Sequence, residues 1–124
     1  DKDIILYETD CLLKRLDTKA EPKPEWVDIG KGALRITSDP DTGKKRILIR
    51  EKVMGNITLN VSFFPTQTFI KNGKRRVQFP AMVLDPDPEA QKNTPGALSL
   101  QTYVVTTKEE EIDKAIAALE KARG

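Results

Sequence analysis

The sequence predicts a mainly β chain ending in one α-helix, and three observations carry that reading. Apolar and polar residues alternate with a period of two along most of the chain, turn residues separate the alternating stretches, and the period becomes helical only after Thr107.

The first strand runs from Ile5 to Leu16. Ile5, Tyr7, Cys11 and Leu13 share one parity while Leu6, Leu12 and Leu16 hold the other, a conflict that a bulge or strong twist resolves. A loop with Ala20-Glu21-Pro22-Lys23-Pro24 leads to a second strand, Trp26 to Thr37, where Leu34 and Ile36 face one way and Lys31, Ala33 and Arg35 the other. After the turn Asp39-Pro40-Asp41-Thr42-Gly43, the third strand, Lys44 to Lys52, sets Lys45, Ile47 and Ile49 against Lys44, Arg46, Leu48, Arg50 and Lys52. The fourth, Asn56 to Phe63, alternates Ile57, Leu59, Val61 and Phe63, read as inside, with Asn56, Thr58, Asn60 and Ser62. Phe64-Pro65 ends it, Lys71-Asn72-Gly73-Lys74 makes a hairpin turn, and Arg76 to Leu84 and Leu98 to Val105 form further strands. Between those two, Asp85 to Gly96 reads as a long, mobile loop.

The last segment carries Ile112, Ala115, Ile116, Leu119 and Ala122 on one helical stripe. Thr107 with Glu110 has the capping-box spacing, Glu109 to Glu111 sit at the positive N-terminal end, and Lys121 and Arg123 sit near the negative C-terminal end. Roughly six or seven antiparallel strands ended by one helix fit a curled sheet or orthogonal sandwich. In that plan the helix plugs the open end with its stripe, as in a pleckstrin-homology-like β-barrel.

With 124 residues, 1–124 is expected to be one domain with its own core. A chain that does not begin with Met reads as an excised piece. The lone Cys11 beside Leu12 and Leu13 implies burial in a reducing compartment, cytosol or nucleus. No apolar run approaches the roughly 18 residues of a membrane span, and the N-terminus lacks a signal-peptide pattern. Histidine is absent and cysteine single, which removes the commonest general base and any cysteine-histidine zinc site. Without a Gly-rich phosphate loop or a GxSxG elbow, the reading is a non-enzyme with no cofactor or metal. A net charge of +2 is too balanced for a nucleic-acid binder.

One surface stands out. If the second and third strands pair with Ile36 and Ile47 on the core side, Lys31 and Arg35 join Lys44, Arg46, Arg50 and Lys52 outside as a continuous basic face. Like charges set side by side on a sheet repel by roughly 0.2–1 kcal/mol per pair, a cost that an acidic ligand offsets. A solvated face is the plain alternative. Trp26, the one tryptophan, is either a core plug or an exposed anchor for a partner. Gly30-Lys31-Gly32 precedes a strand, so its glycines read as bulge or close-approach positions, not a nucleotide loop. Asp85 to Glu89 reads as a solvated loop in preference to a carboxylate site.

Trp26-Val27-Asp28-Ile29-Gly30-Lys31-Gly32, followed by Arg46-Ile47-Leu48-Ile49-Arg50, resembles the Ran-binding domain, whose pattern is Trp, an acidic residue and Gly-x-Gly, then an arginine-flanked apolar strand. Ile5-Leu6-Tyr7-Glu8 through Leu16-Asp17 aligns as well. Met54 to Val61, the Asn72-Gly73-Lys74 turn and Asp85-Pro86-Asp87-Pro88 are similar to one branch, the C-terminal domain of nuclear-pore basket nucleoporins.

That resemblance implies a non-catalytic, pleckstrin-homology-like domain that acts as a monomer at the nuclear pore. It implies binding of the small GTPase Ran in its GTP state, when Ran's acidic C-terminal tail is free, and assistance to importin complexes. Lys31, Arg35, Lys44, Arg46, Arg50 and Lys52 become candidates for the acidic tail, and Trp26 and Asn60 for its less charged part. Trp26, Gly30, Gly32, Arg46, Arg50 and Asn60 match the family pattern residue by residue. Ile29 stands where an arginine is common, and the acidic segment before the first strand is reduced to Asp1 and Asp3, which implies weaker binding. The runner-up is a phosphoinositide-binding or acidic-peptide-binding domain of the same fold, although the loop that usually holds head groups offers only Lys19 and Lys23. Binding of proline-rich peptides would need an aromatic groove that so few aromatic residues hardly supply.

Overall fold

A computed structural model describes residues 3–124. Chain order is β1 (Ile4–Asp17), β2 (Glu25–Ser38), β3 (Lys45–Glu51), β4 (Ile57–Ser62), β5 (Ile70–Lys71), β6 (Arg76–Leu84), α1 (Pro88–Asn93), β7 (Leu98–Thr106) and α2 (Glu109–Arg123). The strands form one antiparallel sheet in the order β4-β3-β2-β1-β7-β6-β5, so the fold is mainly β with a C-terminal helix, as expected.

β1 explains the conflicting parities. Its pairing with β2 shifts register between Ile5 and Tyr7 and again between Leu13 and Lys14, and its later half, Leu12 to Arg15, also pairs with β7. Such bulges increase local twist, and the twisted sheet curls until β4 touches β6. Leu13, Leu34, Ile36, Ile47, Ile49, Val77, Phe79 and Val105 lie fully buried inside the curl. Phe79 stacks on Tyr103 with ring centroids 6.3 Å apart, and Phe69 tilts against Phe79. α2 closes the fold with Ile112, Ala115 and Leu119 buried against this core and Ile116 and Ala122 packed at its edge.

Four sequence expectations need correction. The segment Asp85 to Gly96 contains α1, capped by Asp87, whose carboxylate accepts from the Glu89 amide, while the Gln91 side chain ties the Asp85 and Ala97 carbonyls together. Thr107 and Glu110 form no capping box. The N-cap is Lys108, with no side-chain cap, because the Thr107 hydroxyl donates instead to the Asp10 carbonyl at 2.8 Å and so fastens β7 to β1. Lys44 lies just outside β3. Ile57 is 49 % exposed, since a register shift pairs Ile49 with Leu59 but Arg50 with Ile57, which turns Ile57 to the outer face.

Cys11 is buried, and burial, with Asp10 adding to it, pushes its thiol up to about 12. Only the thiolate attacks an alkylating agent, so at pH 8 Cys11 should react with iodoacetamide at least roughly a hundredfold more slowly than in the urea-unfolded chain. Mass spectrometry of the time course measures this, and equal rates would place the thiol at the surface.

Candidate functional site

The pairing of β2 with β3 decides what faces out. Ile36 sits opposite Ile47 and Leu34 opposite Ile49, all buried, so the alternate residues take the other face: Arg35 opposite Leu48, Ala33 opposite Arg50, and Arg46 opposite Thr37, which is itself covered. β4 extends the row, with Asn60 opposite Leu48 and Ile57 opposite Arg50. Arg35, Arg46, Arg50, Leu48, Ile57 and Asn60 thus line one shallow cleft of about 200 Å3, together with Asp3, Ile5 and Thr37. Leu48 and Ile57 make an apolar floor, and three guanidinium groups stand around it.

Each arginine is held differently. Arg46 Nε donates to Asn60 Oδ1 at 2.7 Å, and Arg50 Nη1 donates to the Gly55 carbonyl at 3.2 Å. Neither forms an ion pair among the described residues. Arg35 does, with Glu8 of β1. A neutral partner orients a guanidinium and leaves its charge uncompensated, so Arg46 and Arg50 keep the capacity for bidentate bonds to carboxylates.

The expected continuous basic face is broken up. Lys31 and Lys52 line a separate hollow with Arg75 and Lys108, and there Lys52 pairs with Asp10 at 3.1 Å. Lys44 is exposed on the turn before β3. Trp26 is 38 % exposed at the start of β2, opposite Leu16. Nine residues separate it from Arg35, which is on the order of 30 Å along an extended strand, so it is neither a core plug nor part of the arginine cleft. Of the site candidates, the cleft gathers Arg35, Arg46, Arg50 and Asn60. Asp1 lies outside the described residues.

A model of the RanBP1 domain family matches residues 1–123. The chain belongs to the RanBP1 domain family. Over 104 residues it is 31 % identical to nucleoporin nup61 of Schizosaccharomyces pombe, an alignment covering 84 % of this chain and 16 % of that protein. The chain therefore spans about one sixth of the length of that relative. Its fold is that of the crystal structure of the Ran-binding domain from the nuclear complex component Nup2 of Ashbya gossypii. The TM-score is 0.69 at 20 % identity, with 99 % of this chain and 97 % of that one covered.

Within this RanBP1 domain, both motif glycines have structural work near the cleft. Gly30 has φ +144° at the second register shift of β1 with β2. At Gly32, an added Cβ would lie 2.1 Å from the Arg50 carbonyl oxygen, so only a residue without a side chain lets β3 come this close. A residue that the motifs did not reveal is Glu51. Its carboxylate accepts the amides of Val53, Met54 and Asn56 and so shapes the turn that presents the Gly55 carbonyl to Arg50. The signal in the sequence was slight: one acidic residue ahead of Gly55-Asn56. Ile57 was assigned to the core for want of the bulge that only pairing reveals.

Two expectations follow. Gly32→Ala should cost roughly 1–3 kcal/mol in urea melts, as overpacking does, and should shift the Arg50 amide resonance; an unchanged melt would mean that the approach of β3 is not tight. Backbone amides, chiefly that of Asn56, hold the Glu51 carboxylate below its ordinary 4.5. Because the folded value is the depressed one, its hold on the turn is complete above 4.5 and lost as pH falls through the folded value. The Val53, Met54 and Asn56 amide shifts should therefore titrate together with a midpoint below 4.5, and independent midpoints would remove Glu51 as their common partner.

Proposed function

We propose that this domain is a non-catalytic binding module for Ran in its GTP state, with the acidic C-terminal tail of Ran lying across the outer face of β2, β3 and β4. The observation that carries the reading is the pair Arg46 and Arg50 on the outer sheet face, each oriented by a neutral acceptor and neither ion-paired with a carboxylate among the described residues. Membership of the RanBP1 domain family supports Ran as the ligand.

Carboxylates of the tail would take Arg46 and Arg50 directly and would compete with Glu8 for Arg35. The apolar floor of Leu48 and Ile57 suits a segment with apolar residues among its acids. Lys31 and Lys52 would receive a continuation of the tail in their own hollow, and Asn60 acts by holding Arg46 as much as by touching the ligand. Trp26 and Lys44 fall outside the cleft and would serve as flanking contacts. Nucleotide selectivity needs no chemistry in the domain, since it comes from the tail being available in one state of Ran and not the other.

The relative named as a nucleoporin supports a place at the nuclear pore, in the nucleus, where a longer parent protein would use this module to bring Ran-GTP to importin complexes. Ile29 in place of an arginine fits modest affinity and fast exchange.

Titration of the isotope-labelled domain with Ran carrying a non-hydrolysable GTP analogue should move resonances along β3 and β4, with no shifts for Ran-GDP. The double variant Arg46→Glu with Arg50→Glu loses two charge-assisted contacts of about 1.5–3 kcal/mol each. It should bind at least roughly a hundredfold more weakly while keeping its fold, because both side chains point away from Ile47 and Ile49. Shifts with neither nucleotide form, or undiminished binding by the double variant, would overturn the assignment.

A further inference from the structure

A second cleft opens on the other side of β4, between that strand and the β6–β7 hairpin, with a volume of about 510 Å3. Arg15, Met82, Leu84 and Leu98, which line it, have no part in the arginine cleft. β4 ends the sheet, and although it touches β6, no backbone hydrogen bond passes from it to β6 among the described residues. Its outward amides and carbonyls are a free template for another strand.

The walls are apolar and unusually exposed. Leu84 and Leu98 are direct cross-strand partners, each 62 % exposed, with Met82 at 47 % beside them and Ile57 at 49 % across the cleft. At its base is Arg15. This residue shares the inward parity of Leu13 and sits opposite Tyr103, half-buried at the mouth of the core. It has no ion pair and no hydrogen-bond partner among the described residues. Arg15 also lines a neighbouring hollow with Asp17, Asp85 and Asp87 but is ion-paired with none of them, so its guanidinium keeps the capacity to bond an incoming carboxylate. Arg46 adds a second positive charge at the rim, and no carboxylate lines the cleft.

We propose that this cleft docks an extended segment of a partner protein in which acidic and apolar residues alternate. The segment adds to the free edge of β4, places a carboxylate on Arg15, and lays its apolar side chains on Ile57, Met82, Leu84 and Leu98. Strand addition supplies the affinity through backbone bonds, and alternation of side chains supplies the selectivity. Charge decides against a second copy of this chain, since pairing β4 with β4 would bring Arg15 and Arg46 of both copies together. The inference does not depend on the Ran reading: Arg15, Met82, Leu84 and Leu98 line this cleft and not the arginine cleft, while Arg46 and Ile57 are shared by both.

Panning phage-displayed random twelve-residue peptides on the folded domain tests it. Expected are enriched peptides alternating Asp or Glu with Leu, Ile, Val or Met. Their binding should fall at least roughly tenfold for Arg15→Gln and for Met82→Asp with Leu98→Asp, and stay unchanged for Arg50→Glu. Alternate β4 amides should gain protection from hydrogen exchange when the peptide is bound. If Arg15→Gln fails to fold, the double variant decides alone, since both of its residues are at the surface. No enrichment, enrichment without acidic residues, loss on Arg50→Glu with retention in the cleft variants, or a sedimentation dimer abolished by Met82→Asp with Leu98→Asp would each overturn the proposal.

Discussion

Everything in this molecule depends on β1 serving two halves of one sheet. Fourteen residues long, it pairs with β2 along its length and with β7 over its second half. A flat strand could not do both and still enclose a core. The two register shifts supply the extra twist, and the sheet curls far enough to have an inside. Once it has one, the pleat sorts β3 without ambiguity: Ile47 and Ile49 go in, Arg46, Leu48 and Arg50 go out. The arginine cleft is thus a consequence of packing two isoleucines, and its geometry is only as fixed as the β2–β3 register.

The chain distributes its charges unevenly over that outer surface. Arg35 and Lys52 have carboxylates of β1 as partners, Glu8 and Asp10, whereas Arg46 and Arg50 have neutral acceptors. Exposed ion pairs are worth little, about 0–1 kcal/mol, so a carboxylate of the proposed ligand would displace Glu8 or Asp10 at small cost. Those pairs keep the cationic residues ordered in the free domain without tying them up. The orientation of Arg50 in turn reaches back to Gly32 and Glu51, one permitting the close approach of β3 and the other shaping the turn whose carbonyl holds the guanidinium.

Much of this was readable from residues alone, wherever one period dominated. The Ile36–Ile47 pairing, the stripe of α2, the turn at Asp39 to Gly43 and the dual role of the motif glycines all followed from local pattern. What escaped was non-local. Ile57 looked internal because a bulge changes which face a residue occupies, and nothing near Ile57 announces that Arg50 has become its partner. Thr107 had the capping spacing, but the Asp10 carbonyl on a distant strand competed for its hydroxyl and won. Likewise the basic face looked continuous because Glu8 and Asp10, far away in sequence, come beside it only through the β1–β2 pairing.

Strand β4 has a share in both clefts. Arg46, Ile57 and Asn60 line the arginine cleft on the sheet's outer face and also the cleft toward β6. An edge strand of six residues is therefore the wall between two surfaces of positive charge with apolar floors. A ligand that orders β4 from one side stiffens the wall for the other, since both use the same backbone. The register of β4 against β3 is accordingly the feature on which the two surfaces converge, and the bulge that delivers Ile57 to the outside is what makes one short strand able to face both.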